Sequence, residues 1–336
     1  MATDTTNFVD QMKLEKIDDD TYRSTTLAPG FETRAYGGHF MAQALLAASR
    51  TVRNGFVVHN FTGYFLVEGR TDIHFLYRVR NLREGRGYCT RNVEVYQGRP
   101  EKLMYTCICS FKQPEPRGLD VQQQVDLREK YGVALRSKRP DEWPEAPAID
   151  SPWFWKYMTR PGNSPEGDSN IPFPGVSRRK VDMRPYNSTV EPSDRVQLQY
   201  YRIRGPMPPV AEDPNMHVAA HLYSSDSNGL FIIPNFLQEH DADNYYRLGS
   251  LHHSVVFHVS PEELSWYDED GNARWFVQEA WVGRYAYGRA LAPSKYFRED
   301  GLHVLSTFQD GMVRLGSVPG GRPGLFQSKG DEKPKM

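Results

Sequence analysis

Cysteine is scarce: Cys89, Cys107 and Cys109 are all that 336 residues contain. Cys107 and Cys109 stand two apart in a strand-like run, so they share one face and are poorly placed to bridge each other. So sparse and odd a set suits a reducing, intracellular compartment rather than a disulfide-built scaffold, and no spacing of a zinc site occurs. No apolar run approaches the ~20 residues of a membrane span. The first residues, Met1 to Thr5, lack the basic-then-apolar pattern of a secretory signal. Neither sign of charge dominates: 41 Lys and Arg face 42 Asp and Glu, for a net charge of −1. That balance leaves no electrostatic footprint for nucleic acid.

What is plentiful is turn formers and aromatics, with 24 prolines, 27 glycines and 12% aromatic residues in a length that accommodates two ordinary domains. Residues 1–24 read as a short helix or strand leading in. After Tyr36-Gly37-Gly38-His39, the run from Phe40 to Val52 carries apolar residues at 41, 44, 45, 48 and 52, a helical stripe. Its alanines make a slim, uncharged helix suited to burial inside a wrapping sheet. Four strand-like runs follow, Val57–Val67, Asp72–Leu82, Gly87–Gln97 and Leu103–Lys112, separated by Gly- and Pro-bearing turns. One buried helix followed by an antiparallel meander is the hot-dog pattern.

The second half repeats it. Val196–Arg204 is strand-like, and an alanine-bearing helix with Pro214 at its entry runs to Asp226. Strand-like runs then cover Leu251–Val259, Trp275–Gly283, Tyr285–Ser294 and Val304–Leu315. The expected fold class is α+β: a tandem double hot-dog, each half an antiparallel sheet wrapped around a central helix. The expected boundaries are 1–115 for the first hot-dog, 116–190 for a Pro/Trp-rich linker, 191–316 for the second and 317–336 for a loose tail. Within the linker, Val121–Tyr131 reads as a polar helix, and Trp143, Trp153 and Trp155 as packing anchors.

Three polar residues stand out in the second half. Gln309 is an uncharged amide in what otherwise reads as an interior strand, and a buried amide needs partners for its acceptor and both donors. Asp226 ends the second helix, and Ser250 lies in a Gly-Ser turn. An acid, a hydroxyl and an amide together can hold and polarise one water. The structural alternatives are a capping acid, a turn hydroxyl and a satisfied core amide.

Short motifs in order join these residues. They are Tyr36-Gly37-Gly38 with Gln43-Ala44-Leu45; Tyr64-Phe65-Leu66 followed by Gly69; Leu82-Arg83-Glu84-Gly85 with Arg91; Asp182-Met183-Arg184-Pro185; Ser225-Asp226; Ser250-Leu251 with His253-Ser254 and Phe257-His258; and Ser306-Thr307 with Gln309-Asp310-Gly311. In these the sequence resembles the acyl-CoA thioesterase II family, the double hot-dog thioesterases of bacteria, yeasts and animals. The likeness runs over roughly residues 30–112 and 180–315.

The resemblance implies hydrolysis of acyl-CoA to a free acid and CoA, without metal, other cofactor or covalent intermediate. It matches the family's catalytic Asp, Ser/Thr and Gln to Asp226, Ser250 and Gln309, and it implies a homo-oligomer. Two positions depart from the family pattern. His252 stands where an Asp is usual, exchanging a negative charge for a titratable base, and His39 stands where bacterial members commonly have Gln.

A thioester carbon attacked by water needs a base or orienting group and a donor for the carbonyl oxygen. A thiolate leaves readily, so no strong acid is required. Asp226 is the expected base, Gln309 and Ser250 fix the water, and backbone amides at a helix N-terminus are candidates to polarise the carbonyl. The pair His217/His221 shares a helix face but lacks the Glu of a zinc-peptidase motif. No Gly-x-Ser-x-Gly elbow supports a Ser-His-Asp triad. Arg83, Arg86 and Arg91 are candidates to face CoA phosphates or simply a solvated hairpin. Two other functions stay open: a hydrolase or acyltransferase of a biosynthetic pathway, and a catalytically silent acyl-CoA-binding protein. The end Lys333-Pro334-Lys335-Met336 partly matches a peroxisomal address, so the expected compartment is peroxisomal or cytoplasmic.

Overall fold

Two alanine-bearing helices, Gly37–Ser49 and Pro214–Ser225, lie at the centre of the molecule and are almost wholly buried. In this computed structural model residues 7–31, 33–146, 174–227, 229–236 and 245–315 are described. The expected tail, the C-terminal address, Trp153 and Trp155 lie outside them.

The strands in chain order are β1 (Leu14–Lys16), β2 (Thr21–Ser24), β3 (Gly30–Phe31), β4 (Arg34–Ala35), β5 (Val57–Phe65), β6 (Leu76–Arg83), β7 (Tyr88–Gln97) and β8 (Lys102–Lys112) in the first half. The second half has β9 (Val176–Lys180), β10 (Val196–Ile203), β11 (Tyr245–Phe257), β12 (Phe276–Trp281), β13 (Arg284–Ala286), β14 (Arg289–Arg298) and β15 (His303–Leu315). All but the small β3-β4 ribbon join one 13-stranded sheet, ordered β1-β2-β6-β7-β8-β5-β11-β15-β14-β12-β10-β9, with β13 beside β14. The fold is the α+β double hot-dog, in which one sheet wraps both helices.

The halves meet where β5 pairs antiparallel with β11, placing Gly63 opposite His253 and Tyr64 opposite His252. Alternation then fixes two faces. Phe61, Val255, Thr307 and Gln309 point inward and are buried, while Tyr64, Ile108 and Phe308 lie on the outer face and are exposed. The helices run antiparallel, so the N-terminus of the first meets the C-terminus of the second: a Cβ on Gly38 would stand 2.5 Å from the Tyr223 carbonyl oxygen. The glycine pair thus serves helix–helix as well as helix–sheet approach.

Several boundaries differ from the sequence reading for local reasons. The linker helix runs Leu127–Leu135, not Val121–Tyr131, because Asp126 caps it by accepting from the Arg128 and Glu129 N–H groups. It packs with Trp143 on the outer face of the second half's part of the sheet, against Leu198, Trp275, Val277 and Phe297. The run Tyr285–Ser294 is two strands, because Tyr287 and Gly288 both take positive φ and turn the chain back. Strand β9, missed from sequence, follows the proline-rich stretch and adds the final edge.

Candidate active site

The second central helix begins with Asp213, whose side chain accepts from the Met216 N–H, and with Pro214 in its first turn. Asp226 is its C-cap. An acid at a helix C-terminus meets the unfavourable end of the dipole, but here a second helix compensates. The first central helix has no side-chain cap of its own, and the Gly38 N–H donates to Asp226. Asp226 therefore faces the positive end of the other half's helix. On the far side of the same helix end, the buried Arg178 donates to the Ser224 carbonyl at 2.7 Å. Its guanidinium is held as well by Gln199 and Gln278.

Strands β11 and β15 bring the other two residues. Ser250 sits beside a β-bulge, since the register with β15 shifts between Ser250 and His252. The bulge re-aims the serine toward the inner face. Gln309 Nε2 donates to Asp226 Oδ1 at 2.7 Å and to Ser250 Oγ at 2.8 Å. One amide nitrogen thus ties the acid to the hydroxyl and uses both its hydrogens, while the amide oxygen lies against Gly229. A side chain at 229 would occupy the place of that oxygen. Gln309 therefore joins the three sequence candidates in one hydrogen-bonded cluster.

Gln309 is buried, whereas Asp226 and Ser250 each keep a partly accessible surface. The carboxyl nevertheless lies deep among protein atoms. Burial pushes its pKa up to about 7, against the opposing pull of the Gly38 N–H and the Gln309 amide. A carboxylate tuned near neutrality and reachable by solvent suits a general base.

His253, buried beside Gln309 on the inner face, reads in sequence only as part of a motif. Ser225 Oγ donates to the Leu222 carbonyl at 2.8 Å and lies 2.8 Å from His253 Nε2, so that nitrogen carries the proton and donates to the serine. Burial lowers the His253 pKa to about 3, so the ring is neutral and works as a strut for the helix end that carries Asp226.

The remaining candidates fall elsewhere. His252 lies on the outer face, 4.9 Å ring to ring from Tyr64, so the exchange of acid for base there does not enter the inner-face cluster. Arg91 is buried and bonded to Thr51, Asn81 and Glu84, at the C-terminal end of the first helix. That is the opposite end from Gly38, roughly 20 Å away at 1.5 Å per residue. The Arg83–Arg91 hairpin does not flank Asp226. His217 bonds the Pro208 carbonyl and His221 the Leu264 carbonyl and Tyr201, both as core struts. The three cysteines are buried within β7 and β8.

The arrangement defines a double hot-dog protein with one acid–amide–hydroxyl cluster where the two halves meet. Residues 27–111 match the sequence model of the acyl-CoA thioesterase N-terminal domain. Along most of its length the chain is similar to acyl-CoA thioesterases. It is 26% identical to mouse acyl-coenzyme A thioesterase 8 over 322 residues, covering 95% of this chain and 90% of that protein. It is 25% identical to acyl-CoA thioesterase 2 of Haemophilus influenzae, covering 92% and 97%. It is 27% identical to the peroxisomal acyl-coenzyme A thioester hydrolase 1 of Saccharomyces cerevisiae, covering 86% and 88%. Among solved structures, acyl-CoA thioesterase II of Mycobacterium marinum superposes with a TM-score of 0.64 at 22% identity, covering 94% of this chain and 99% of that one.

Proposed function

We propose that the protein hydrolyses acyl-CoA thioesters by direct attack of water, with Asp226 as general base and Ser250 and Gln309 as its orienting partners. The observation that carries the reading is the bridge from Gln309 Nε2 to Asp226 Oδ1 and Ser250 Oγ, 2.7 and 2.8 Å long. The substrate class rests on the names of the relatives. Because Ser250 accepts from Gln309, its own hydrogen and one lone pair are left for a water that also bonds the carboxylate.

In the reaction the water oxygen bonds the thioester carbon as its proton passes to Asp226. The tetrahedral intermediate expels the CoA thiolate, which takes that proton. A free acid and the CoA thiol result, with no group left on the protein. Thiolate departure needs little acid help, so one carboxyl suffices in both directions of proton transfer.

A CoA-release assay over a panel of acyl chain lengths, with the acid product identified, tests this. A turnover lower by roughly 10²-fold or more in Asp226→Asn is expected. Acyl transfer to another acceptor without free acid, or tight acyl-CoA binding without release, would establish one of the other two readings. Association of copies is part of the same proposal, and light scattering that finds only the 38.6 kDa species would refute it. So is a peroxisomal setting, motivated by the yeast relative's name, and imaging of a fusion with a free C-terminus tests it.

A further inference from the structure

We infer that Tyr105 is a further catalytic residue of this site, its phenol supplying the hydrogen bond that the thioester carbonyl oxygen needs as it gains charge. The inference rests on the hydrolase reading above and adds a donor that neither the motifs nor the relatives' names assign.

The starting point is an unfilled requirement. The helix N-terminus nearest the acid is the natural place for a carbonyl-polarising amide, but the Gly38 N–H is already given to Asp226. Both hydrogens of the Gln309 amide are likewise committed. A donor elsewhere on the inner face would meet the requirement.

Tyr105, on β8, is fully buried, and its hydroxyl has no hydrogen-bond partner among the described residues. A buried unsatisfied hydroxyl costs about 1–3 kcal/mol, and phenylalanine would remove that cost at unchanged shape. Position and surroundings point the same way. The phenol oxygen fills the space where a side chain of Gly63 would stand. Gly63 lies directly opposite His253, which lies opposite Gln309. The absence of a side chain at 63 is what lets the phenol reach across β5 toward that row. The ring is packed against Phe65 and Phe40, at 4.9 and 5.3 Å between centroids. Phe65 in turn borders Gly37, which is 2.6 Å from Asp226 Oδ2 when given a Cβ. Burial first, then the neighbouring Cys107 and Cys109, and last the charge of Asp226, hold the phenol's pKa well above the usual tyrosine value. The hydroxyl thus keeps its proton and remains a donor. His39 also buries two unpartnered ring nitrogens, but burial alone perturbs it, and no charge of the site reaches it.

The test is Tyr105→Phe, assayed for kcat, KM, pH profile and melting temperature beside the native protein. The expected result is a kcat lower by roughly 10²-fold, the scale of a lost oxyanion donor, with KM little changed and melting unchanged or higher. Native-like kcat with higher melting would overturn the inference, since the hydroxyl would then be only an unsatisfied core atom. A fall in both kcat and melting would overturn it in favour of a packing role. A shifted pH limb with an unchanged plateau would reassign the phenol to Asp226. If the native protein releases no CoA from any chain length, the hydrolase reading itself fails; if it does while Tyr105→Phe matches it, only this inference fails.

Discussion

The backbone N–H of Gly38, in the first half of the chain, donates to the carboxylate of Asp226, in the second. Neither half holds the site alone: one supplies the acid and the other the helix end that steadies it. Asp226→Asn is therefore doubly informative. The amide is isosteric, so the fold survives, but it cannot take a proton. The expected loss in kcat is roughly 10²- to 10⁴-fold, measured as CoA release at saturating substrate. A loss of less than tenfold would remove Asp226 from the role of base.

The same substitution carries a stability prediction. The folded-state pKa of Asp226 is raised from 3.8 to about 7. Folding therefore favours the protonated acid, a contribution fully present below the unfolded value and lost as pH rises through about 7. The native protein should weaken over that window, and Asp226→Asn should not. The melting difference, variant minus native, should grow between about pH 4 and about pH 7 and level off above. A constant difference would show that the carboxyl is not perturbed.

Activity should follow the opposite sense of the same ionisation. The base works only when ionised, so kcat/KM should rise with pH and level off above about 7. His253 should leave no inflection near neutrality, because burial holds its pKa near 3. A rising limb centred near 4 would contradict the burial of Asp226.

Much of this was legible in the sequence, and the parts that were not share a cause. The two alanine-bearing helices and the antiparallel meanders are written in local periodicity, which needs no knowledge of the partner segment. Gln309 stood out because an amide in an interior strand demands partners. The cap from Gly38 to Asp226, the strut from His253 to Ser225 and the room at Gly63 all depend on segments far apart in the chain. No spacing rule reports them. His252 is hidden for a related reason: two residues from Ser250, it would share that residue's face by simple alternation, but the bulge between them turns Ser250 inward and leaves His252 outside. The linker helix begins later than the polar run from Val121 suggests because Asp126 caps it.

His252→Asp tests that geometry. The side chain lies on the outer face against Tyr64, while the trio faces inward. An acid there should leave kcat within roughly twofold, since solvent screens a half-buried charge on the far side of the sheet. A large rise in turnover would mean that the outer face communicates with the site.

Gly229 is the position where backbone shape sets side-chain placement. The Gln309 amide oxygen occupies the space a β-carbon would take there. Gly229→Ala must push the amide aside, lengthening its bonds to Asp226 and Ser250 without touching either residue. A displacement of an ångström at a catalytic group costs up to ~10²-fold, so a loss of roughly 10- to 10²-fold in kcat is expected with melting little affected. Unchanged kcat would mean that the loop yields instead of the amide.

Gln309 and Ser250 should behave as one unit, because a single nitrogen links both to the acid. Gln309→Ala removes the link and leaves Ser250 free to rotate. Ser250→Ala removes the hydroxyl and leaves one amide hydrogen of Gln309 without its acceptor. Once the link is gone, the serine is no longer held at the water, so removing it as well should cost little more. The double variant should therefore lose much less than the product of the two single losses, with a coupling of roughly 0.5–3 kcal/mol, the range for residues in one hydrogen-bond network. Ser250→Thr keeps the hydroxyl and should remain near native activity, which separates the loss of the group from the loss of space. Strict additivity of the two alanine effects would mean that amide and hydroxyl act on the reaction independently, and the shared-water arrangement would have to be given up.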